Sequence, residues 1–402
     1  LGGDILYLTE KEKEMHTGRH GAFVQKCMEI LVTLGEIYGA ERMIEINNVH
    51  SPGVSYRVTG DAGLQYVCDA SEQGLFCVPT TLNSIGIDSE NWREIGFPED
   101  FSLAQLKLNQ AYLKMGALAS YTCTPYLTGN IPSAGEHVAW GESSAIIYAN
   151  SVIGARTNRE GGPSALAAAV TGRVPAYGYH LDENRKATHL VHVEMPLKTD
   201  RDYAVLGYYI GQIVGNKVPI FENITSRPTL ENFKALGAAL ASSGAVALFH
   251  VAGYTPEALI KEAVLPKTYE TIEFGKNEYQ SVVNKFTLDE PADLVVIGCP
   301  HCSINELREL ALALDGKKIK RDMWICTSKQ VLALADRMGY TEKIKKSGAT
   351  IVLDTCPVLC PTSDKGYSAA ITNSGKMAHY IRGLWNMKSS LSQLEDCLAA
   401  AF

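Results

Sequence analysis

The feature that most constrains this chain is a turn that recurs: an apolar, β-branched run breaks off at a cysteine with a proline beside it. Leu294 to Gly298 runs into Cys299-Pro300-His301-Cys302-Ser303, and Ile351 to Asp354 runs into Thr355-Cys356-Pro357. A third, looser case is Thr122-Cys123-Thr124-Pro125-Tyr126, just after an extended-looking segment. Short aliphatic runs at Ala245–Phe249, Leu294–Ile297, Met323–Ile325 and Ile351–Leu353 are each followed by a helical pattern, as buried parallel strands are. The cysteines therefore sit in strand-to-helix turns. There, backbone N–H groups and the positive end of a helix favour a thiolate, the form that binds metal or attacks carbon.

The first half carries the same rhythm. Helical spacing covers Phe23–Ile37, Ala62–Ala70, Phe101–Met115 and Ala145–Val152, and extended segments are expected at Met43–Ile46, Phe76–Pro79 and Tyr121–Thr124. This alternation predicts an α/β fold. The more polar stretch Tyr269–Glu290 lacks a strong helical period and reads as a connection, which divides the chain into 1–270 and 271–402. With 402 residues and 46% hydrophobic content the chain can bury a sizeable core. A net charge of −7 offers no basic stripe for nucleic acid. No run approaches the roughly 18 apolar residues of a membrane span, and Leu1–Glu14 lacks the order of a secretory signal, so a cytoplasmic location is expected.

The candidate cysteines lie 176 and 57 residues apart, a spacing that matches no short metal motif. Cys299 and Cys302 form C-x-x-C, open to a redox pair or half a zinc site, but Cys356 and Cys360 are separated by three residues, not two. A buried, inert thiol is the alternative for each. Cys27, Cys68, Cys77, Cys326 and Cys397 are read as packing residues. Ser303 with Glu306 forms a capping-box pattern.

Two stretches suit an anion. Asn150 to Ser164 combines Arg156 and Arg159 with hydroxyls, amides and a Gly pair ahead of an Ala-rich helix. Asn373-Ser374-Gly375-Lys376 offers a hydroxyl, free amides and an ammonium before another helix, without the upstream glycines of a Walker loop. The turns at Ser51–Ser55, Pro79–Ser84 and Gly135–Ser144 could line the same pocket. Glu142, beside small hydroxyl residues, is a better acid/base candidate than His50, His137, His180 or His250, each of which can equally be a satisfied structural histidine.

Gly53-Val54-Ser55-Tyr56, Val78-Pro79-Thr80-Thr81-Leu82-Asn83, Thr122-Cys123-Thr124-Pro125-Tyr126, Gly154 to Gly162, Gly298-Cys299-Pro300-His301 and Asp354-Thr355-Cys356-Pro357 together resemble the large subunit of the aconitase X family, over nearly the whole chain from about Tyr7. The resemblance implies an aconitase-like catalytic core of several α/β layers, with short parallel sheets around a central cluster site. It places an iron–sulfur cluster on Cys123, Cys299 and Cys356, [4Fe–4S] with [2Fe–2S] as the alternative. Cys302 and Cys360, close to two of these ligands, could supply an extra thiolate.

The family has one branch that dehydrates (R)-5-phosphomevalonate to trans-anhydromevalonate 5-phosphate in a mevalonate route to isoprenoids, using a separate small subunit, and another that dehydrates cis-3-hydroxy-L-proline. Asn158 to Ser164 resembles the first, and a small phosphorylated hydroxy acid gives the arginine and Ser-Gly-Lys loops a purpose. Three thiolates leave one iron free to act as a Lewis acid. By the resemblance, Glu142 and Ser143 are catalytic, and Gly53, Val54, Ser55, Asn83, Ser84, Ser374, Gly375 and Lys376 contact substrate, with Arg156 and Arg159 as further candidates. The base that takes the proton is expected on the small-subunit partner. A cluster-free scaffold subunit is the reading of another class.

Overall fold

The computed structural model describes residues 6–361 and 365–402, which form three units built on short parallel sheets. The first holds β1 (Met43–Glu45), β2 (Val49–Ser51), β3 (Thr80–Leu82), β4 (Ala139–Trp140) and β5 (Arg173–Pro175). β2 is the centre of a parallel sheet of order β3-β2-β4, and β1 pairs antiparallel with β5. The helix Ala22–Tyr38 buries Phe23, Cys27, Met28, Leu31 and Val32, the stripe its spacing predicts, and stops at Gly39 in the left-handed conformation.

The second unit is a parallel sheet of β6 (His189–Val193), β7 (Pro219–Glu222), β8 (His250–Val251) and β9 (Glu270–Phe274), in the order β8-β7-β6-β9. Helices Asp200–Val214 and Leu230–Gly244 pack on each other through glycines: a Cβ on Gly244 would lie 1.8 Å from the Gly211 carbonyl oxygen. Only glycine permits that approach.

The third unit contains β10 (Leu294–Ile297), β11 (Asp322–Thr327), β12 (Thr350–Leu353), β13 (Ala369–Thr372) and β14 (Lys388–Leu391), all parallel, in the order β12-β11-β10-β13-β14. Both faces are buried. Val295, Ile297, Met323 and Ile325 join one core, while Leu294, Val296, Trp324 and Val352 join the core shared with the first unit. That is why these strands read as unbroken apolar runs. The strand order reverses between β10 and β13, and in open α/β sheets ligands bind at the carboxyl ends beside such a reversal.

Several expected elements differ. The connection expected over Tyr269–Glu290 is β9 followed by the helix Lys276–Lys285, so a boundary at 270 falls inside the second unit. β9 is an edge strand with Glu270, Thr271 and Glu273 exposed, which explains its polar pattern. Phe76–Pro79 and Ala245–Phe249 lead into strands rather than forming them; Ala245 itself ends a helix at φ 61°. Tyr121–Thr124 is irregular, with the Thr122 N–H donating to the Leu82 carbonyl at 3.1 Å. The helix expected over Ala145–Val152 is α-helical from Ser143 to Tyr148 and widens to a π-turn over Ala149–Ile153, where Asn150 bonds the Thr157 and Ala247 carbonyls. Among the described residues no helix is long and apolar enough to cross a membrane.

Candidate active site

The carboxyl ends of the first and third sheets meet. The Ile85 N–H donates to the Asp354 carbonyl at 2.9 Å, and the Cys356 N–H donates to the Ile85 carbonyl at 2.8 Å, joining the turn after β3 to the turn after β12. Each candidate cysteine follows a residue at positive φ: Tyr121 (40°), Gly298 (97°) and Asp354 (59°). A Cβ at 298 would sit 2.2 Å from the Cys326 carbonyl oxygen, so glycine is required directly before Cys299. Non-glycine residues in this region carry strain and tend to mark functional turns.

Cys123 and Cys299 are buried and Cys356 is partly so. Burial pushes all three thiols up, Cys299 to about 12, while the Lys376 ammonium pulls each of them down. One ammonium thus acts on thiols carried by three separate turns. The His301 N–H lies 3.3 Å from Cys123 Sγ, and the Ser374 hydroxyl donates to the Cys299 carbonyl.

Ser374 caps the helix Gly375–Leu384 that follows β13, its Oγ accepting from the Met377 N–H at 3.0 Å. This points Lys376 inward against Glu142, which follows β4 and caps the helix Ser143–Tyr148. Lys376 Nζ also lies 3.2 Å from Ser143 Oγ and 3.1 Å from Ser144 Oγ. Burial raises the Glu142 carboxyl, but Lys376, Ser144 and the Ala145 N–H outweigh it and hold it down at about 2. Burial would lower the Lys376 ammonium, yet the surrounding negative groups, Glu142 first, keep it well above its usual value. Both groups are charged at neutral pH.

The expected substrate turns border this pair. Gly53, at φ 71°, packs against Gly162, and Gly141 leaves no room for a side chain between Pro52 and the Glu160 carbonyl. Val54 is buried and its carbonyl accepts from Gln105 Nε2 at 2.7 Å. Ser55 Oγ is buried with no hydrogen-bond partner among the described residues. Ser84 donates to Asn83 Oδ1 at 3.3 Å, beside the Ile85 link to the Cys356 turn.

Other candidates are committed elsewhere. Arg156 pairs with Asp182 and donates to the His180 carbonyl at 3.1 Å. Arg159 is exposed and donates to the Ala245 carbonyl at 2.5 Å. His137 and His180 bond each other at 2.9 Å, and His250 Nε2 donates to the Arg185 carbonyl at 2.8 Å. His50 is buried behind the site, with Nδ1 2.9 Å from Thr81 Oγ1. Cys302, Cys326 and Cys360 are fully buried near the site, Cys27 and Cys397 lie in the cores, Cys68 is partly buried, and Cys77 is exposed rather than packed.

The residues missed by sequence reasoning are Thr122, Thr355 and His301. His301 Nδ1 lies 3.0 Å from Thr122 Oγ1, and Nε2 lies 2.9 Å from the Thr355 carbonyl oxygen. Each threonine directly precedes a candidate cysteine, which is the only local signal available in the sequence.

Among the described residues, no three His, Cys, Asp or Glu side chains form a site for a single metal ion. Three thiols on separate turns that are linked through Ile85 and His301 and lie within the influence of one ammonium suit instead a polynuclear iron–sulfur group, whose cysteines bind different irons. Burial disfavours unpaired thiolates here, and bound iron would supply the compensating positive charge. The donor set fits such a group.

The Aconitase X first-, second- and third-domain families match residues 5–183, 187–284 and 292–402, the spans of the three sheet units, and the chain belongs to the aconitase X family. It is 46% identical over 401 residues to the protein named phosphomevalonate dehydratase large subunit of Methanocaldococcus jannaschii, covering 98% of this chain and 99% of that one. Against the cis-3-hydroxy-L-proline dehydratase of Hypocrea jecorina identity is 37%, covering 99% of this chain and 69% of that protein. The crystal structure of Thermococcus kodakaraensis aconitase X in its holo-form superposes with a TM-score of 0.92 at 43% identity, covering 99% of this chain and all of that one. The α/β architecture with short parallel sheets is thus that of the family.

Proposed function

We propose that this chain is the catalytic large subunit of a hydro-lyase that removes water from (R)-5-phosphomevalonate to give trans-anhydromevalonate 5-phosphate. The observation that carries the reading is the convergence of Cys123, Cys299 and Cys356 on the Lys376–Glu142 pair. Those cysteines would hold an iron–sulfur cluster, [4Fe–4S] rather than [2Fe–2S], and a cluster held by three thiolates supplies one iron as a Lewis acid for the departing hydroxyl.

The chain's own groups prepare the substrate. The Lys376 ammonium and the N–H groups at the start of the helix Gly375–Leu384 attract a carboxylate or phosphate. Glu142 is ionised at neutral pH, so it accepts a substrate hydroxyl and steadies Lys376 instead of donating a proton. Ser143 and the unpartnered Ser55 hydroxyl offer further hydrogen bonds, and Gly53 keeps the wall thin. The proton-abstracting base is assigned to a small-subunit partner, a reading supported by the "large subunit" in the relative's name. Ten cysteines, none of them joined in a disulfide among the described residues, suit a reducing compartment such as the cytoplasm.

The phosphorylated substrate is favoured over cis-3-hydroxy-L-proline because the relative named for it is more similar and matches end to end, whereas the other is covered over 69% of its length. The test is anaerobic incubation of the iron-reconstituted chain and its small subunit with each substrate, following product by mass. Loss of one water from (R)-5-phosphomevalonate alone is expected. Dehydration of cis-3-hydroxy-L-proline alone would move the chain to the other branch, and a chain refractory to iron would support the scaffold reading.

A further inference from the structure

His301 touches all three cysteine turns. Its side chain reaches the residue before Cys123 at 3.0 Å and the residue before Cys356 at 2.9 Å, while its own backbone follows Cys299 by two residues. Its N–H faces Cys123 Sγ at 3.3 Å, and its carbonyl accepts from the buried Lys234 ammonium at 3.1 Å. The ring is fully enclosed.

The hydrogen bonding fixes the tautomer. A carbonyl only accepts, so Nε2 carries the proton given to Thr355 O, and Nδ1 accepts from the Thr122 hydroxyl. Thr122 Oγ1, its proton spent, accepts in turn from the Thr124 hydroxyl at 3.0 Å and from the Thr124 N–H at 3.2 Å. Each side-chain polar atom of His301, Thr122 and Thr124 has a partner, and such networks hold one arrangement of the chain.

We infer that His301 is a positioning residue, which holds the three cysteine turns in one fixed arrangement by bridging Thr122 and Thr355. The inference rests on the reading of Cys123, Cys299 and Cys356 as cluster ligands. It reaches beyond those ligands, because groups that orient metal ligands control how well the metal is held.

The test reconstitutes the full chain anaerobically and follows cluster loss on exposure to air by visible absorption, with the electron paramagnetic resonance of the reduced cluster and the thermal midpoint of the iron-free chain measured alongside. His301→Leu removes both bonds at similar volume, and His301→Gln keeps a donor and an acceptor. The Leu variant is expected to lose its cluster roughly 10- to 100-fold faster, with an altered resonance signal. The Gln variant should recover part of the difference. Thr122→Val should act in the same direction, and its effect should be smaller when added to His301→Leu than alone, because the two changes share the bond between Thr122 and His301.

Cluster loss in His301→Leu at the unaltered rate, or a lowered iron-free midpoint with no change in cluster loss or signal, overturns the inference. Should His301→Leu fail to fold, Thr122→Val decides: an unaltered rate there overturns it equally. If the unaltered chain takes up no iron, the ligand reading falls, and this inference with it.

Discussion

Lys376 and Glu142 form an ion pair between the carboxyl ends of two different sheets, their side chains only 10% and 8% exposed. Neither charge can be removed alone without stranding the other. Lys376→Met is therefore expected to lower stability by about 3–5 kcal/mol and to abolish turnover. The double change Lys376→Met with Glu142→Leu should recover much of the stability and none of the activity. Because Glu142 is held down from 4.5 to about 2, its contribution is complete above the higher value and fades as pH falls toward the lower. Urea denaturation between those limits should show that slope, and Glu142→Gln should flatten it.

Cys123→Ser, Cys299→Ser and Cys356→Ser are each expected to abolish retention of iron and sulfide after reconstitution. Cys27→Ser and Cys397→Ser place a hydroxyl in an apolar core and should cost about 1–3 kcal/mol of stability with iron retained. Metal analysis of the five variants checks this, and equal retention in all five would remove the ligand assignment.

Asp200 titrates in the opposite sense to Glu142. Burial, with Glu306 next in importance, pushes its carboxyl from 3.8 to about 6, although Asn232 Nδ2 donates to it at 2.6 Å. The folded chain thus holds this proton more tightly than the unfolded chain, and stability is lost as pH rises from about 4 to about 6. Asp200→Asn should raise stability at pH 7 by on the order of 1–2 kcal/mol and remove that slope. Thermal midpoints at pH 4.5 and pH 7, at one ionic strength, measure it.

Arg156 gives a negative control. Its guanidinium is committed to Asp182 and the His180 carbonyl, so Arg156→Gln should leave KM for the phosphorylated substrate within about twofold of its original value, a shift below 0.5 kcal/mol. A tenfold rise, measured by steady-state kinetics, would bring Arg156 into the substrate site.

What the sequence made legible follows from where its signals are local. Leu294–Ile297 and Ile351–Leu353 read as strands because both faces of their sheet are buried, and the turns at Cys299 and Cys356 stood out against those runs. The Ser303–Glu306 capping box was visible for the same reason and is present. Tyr121–Thr124 misled because its apolar and β-branched residues are held by one backbone bond to Leu82 and by side-chain contacts, not by a ladder. β9 was hidden by the charges of an edge strand. The pairing of Lys376 with Glu142 spans 234 residues and that of His301 with Thr122 spans 179, and no periodicity encodes such meetings. The partners of Arg156 and Arg159 were hidden as well, because composition does not say which acids and carbonyls a loop arginine will find.

Cys123, Cys299 and Cys356 would hold the cluster beside Lys376, where it would supply a Lewis acid to the substrate. The most direct measurement of this assignment is the electron paramagnetic resonance of the reconstituted, reduced large and small subunits, recorded before and after addition of (R)-5-phosphomevalonate. A cluster signal that shifts with this substrate in the unaltered protein and is absent in Cys356→Ser is expected. A signal indifferent to the substrate, or one that persists in Cys356→Ser, would contradict it.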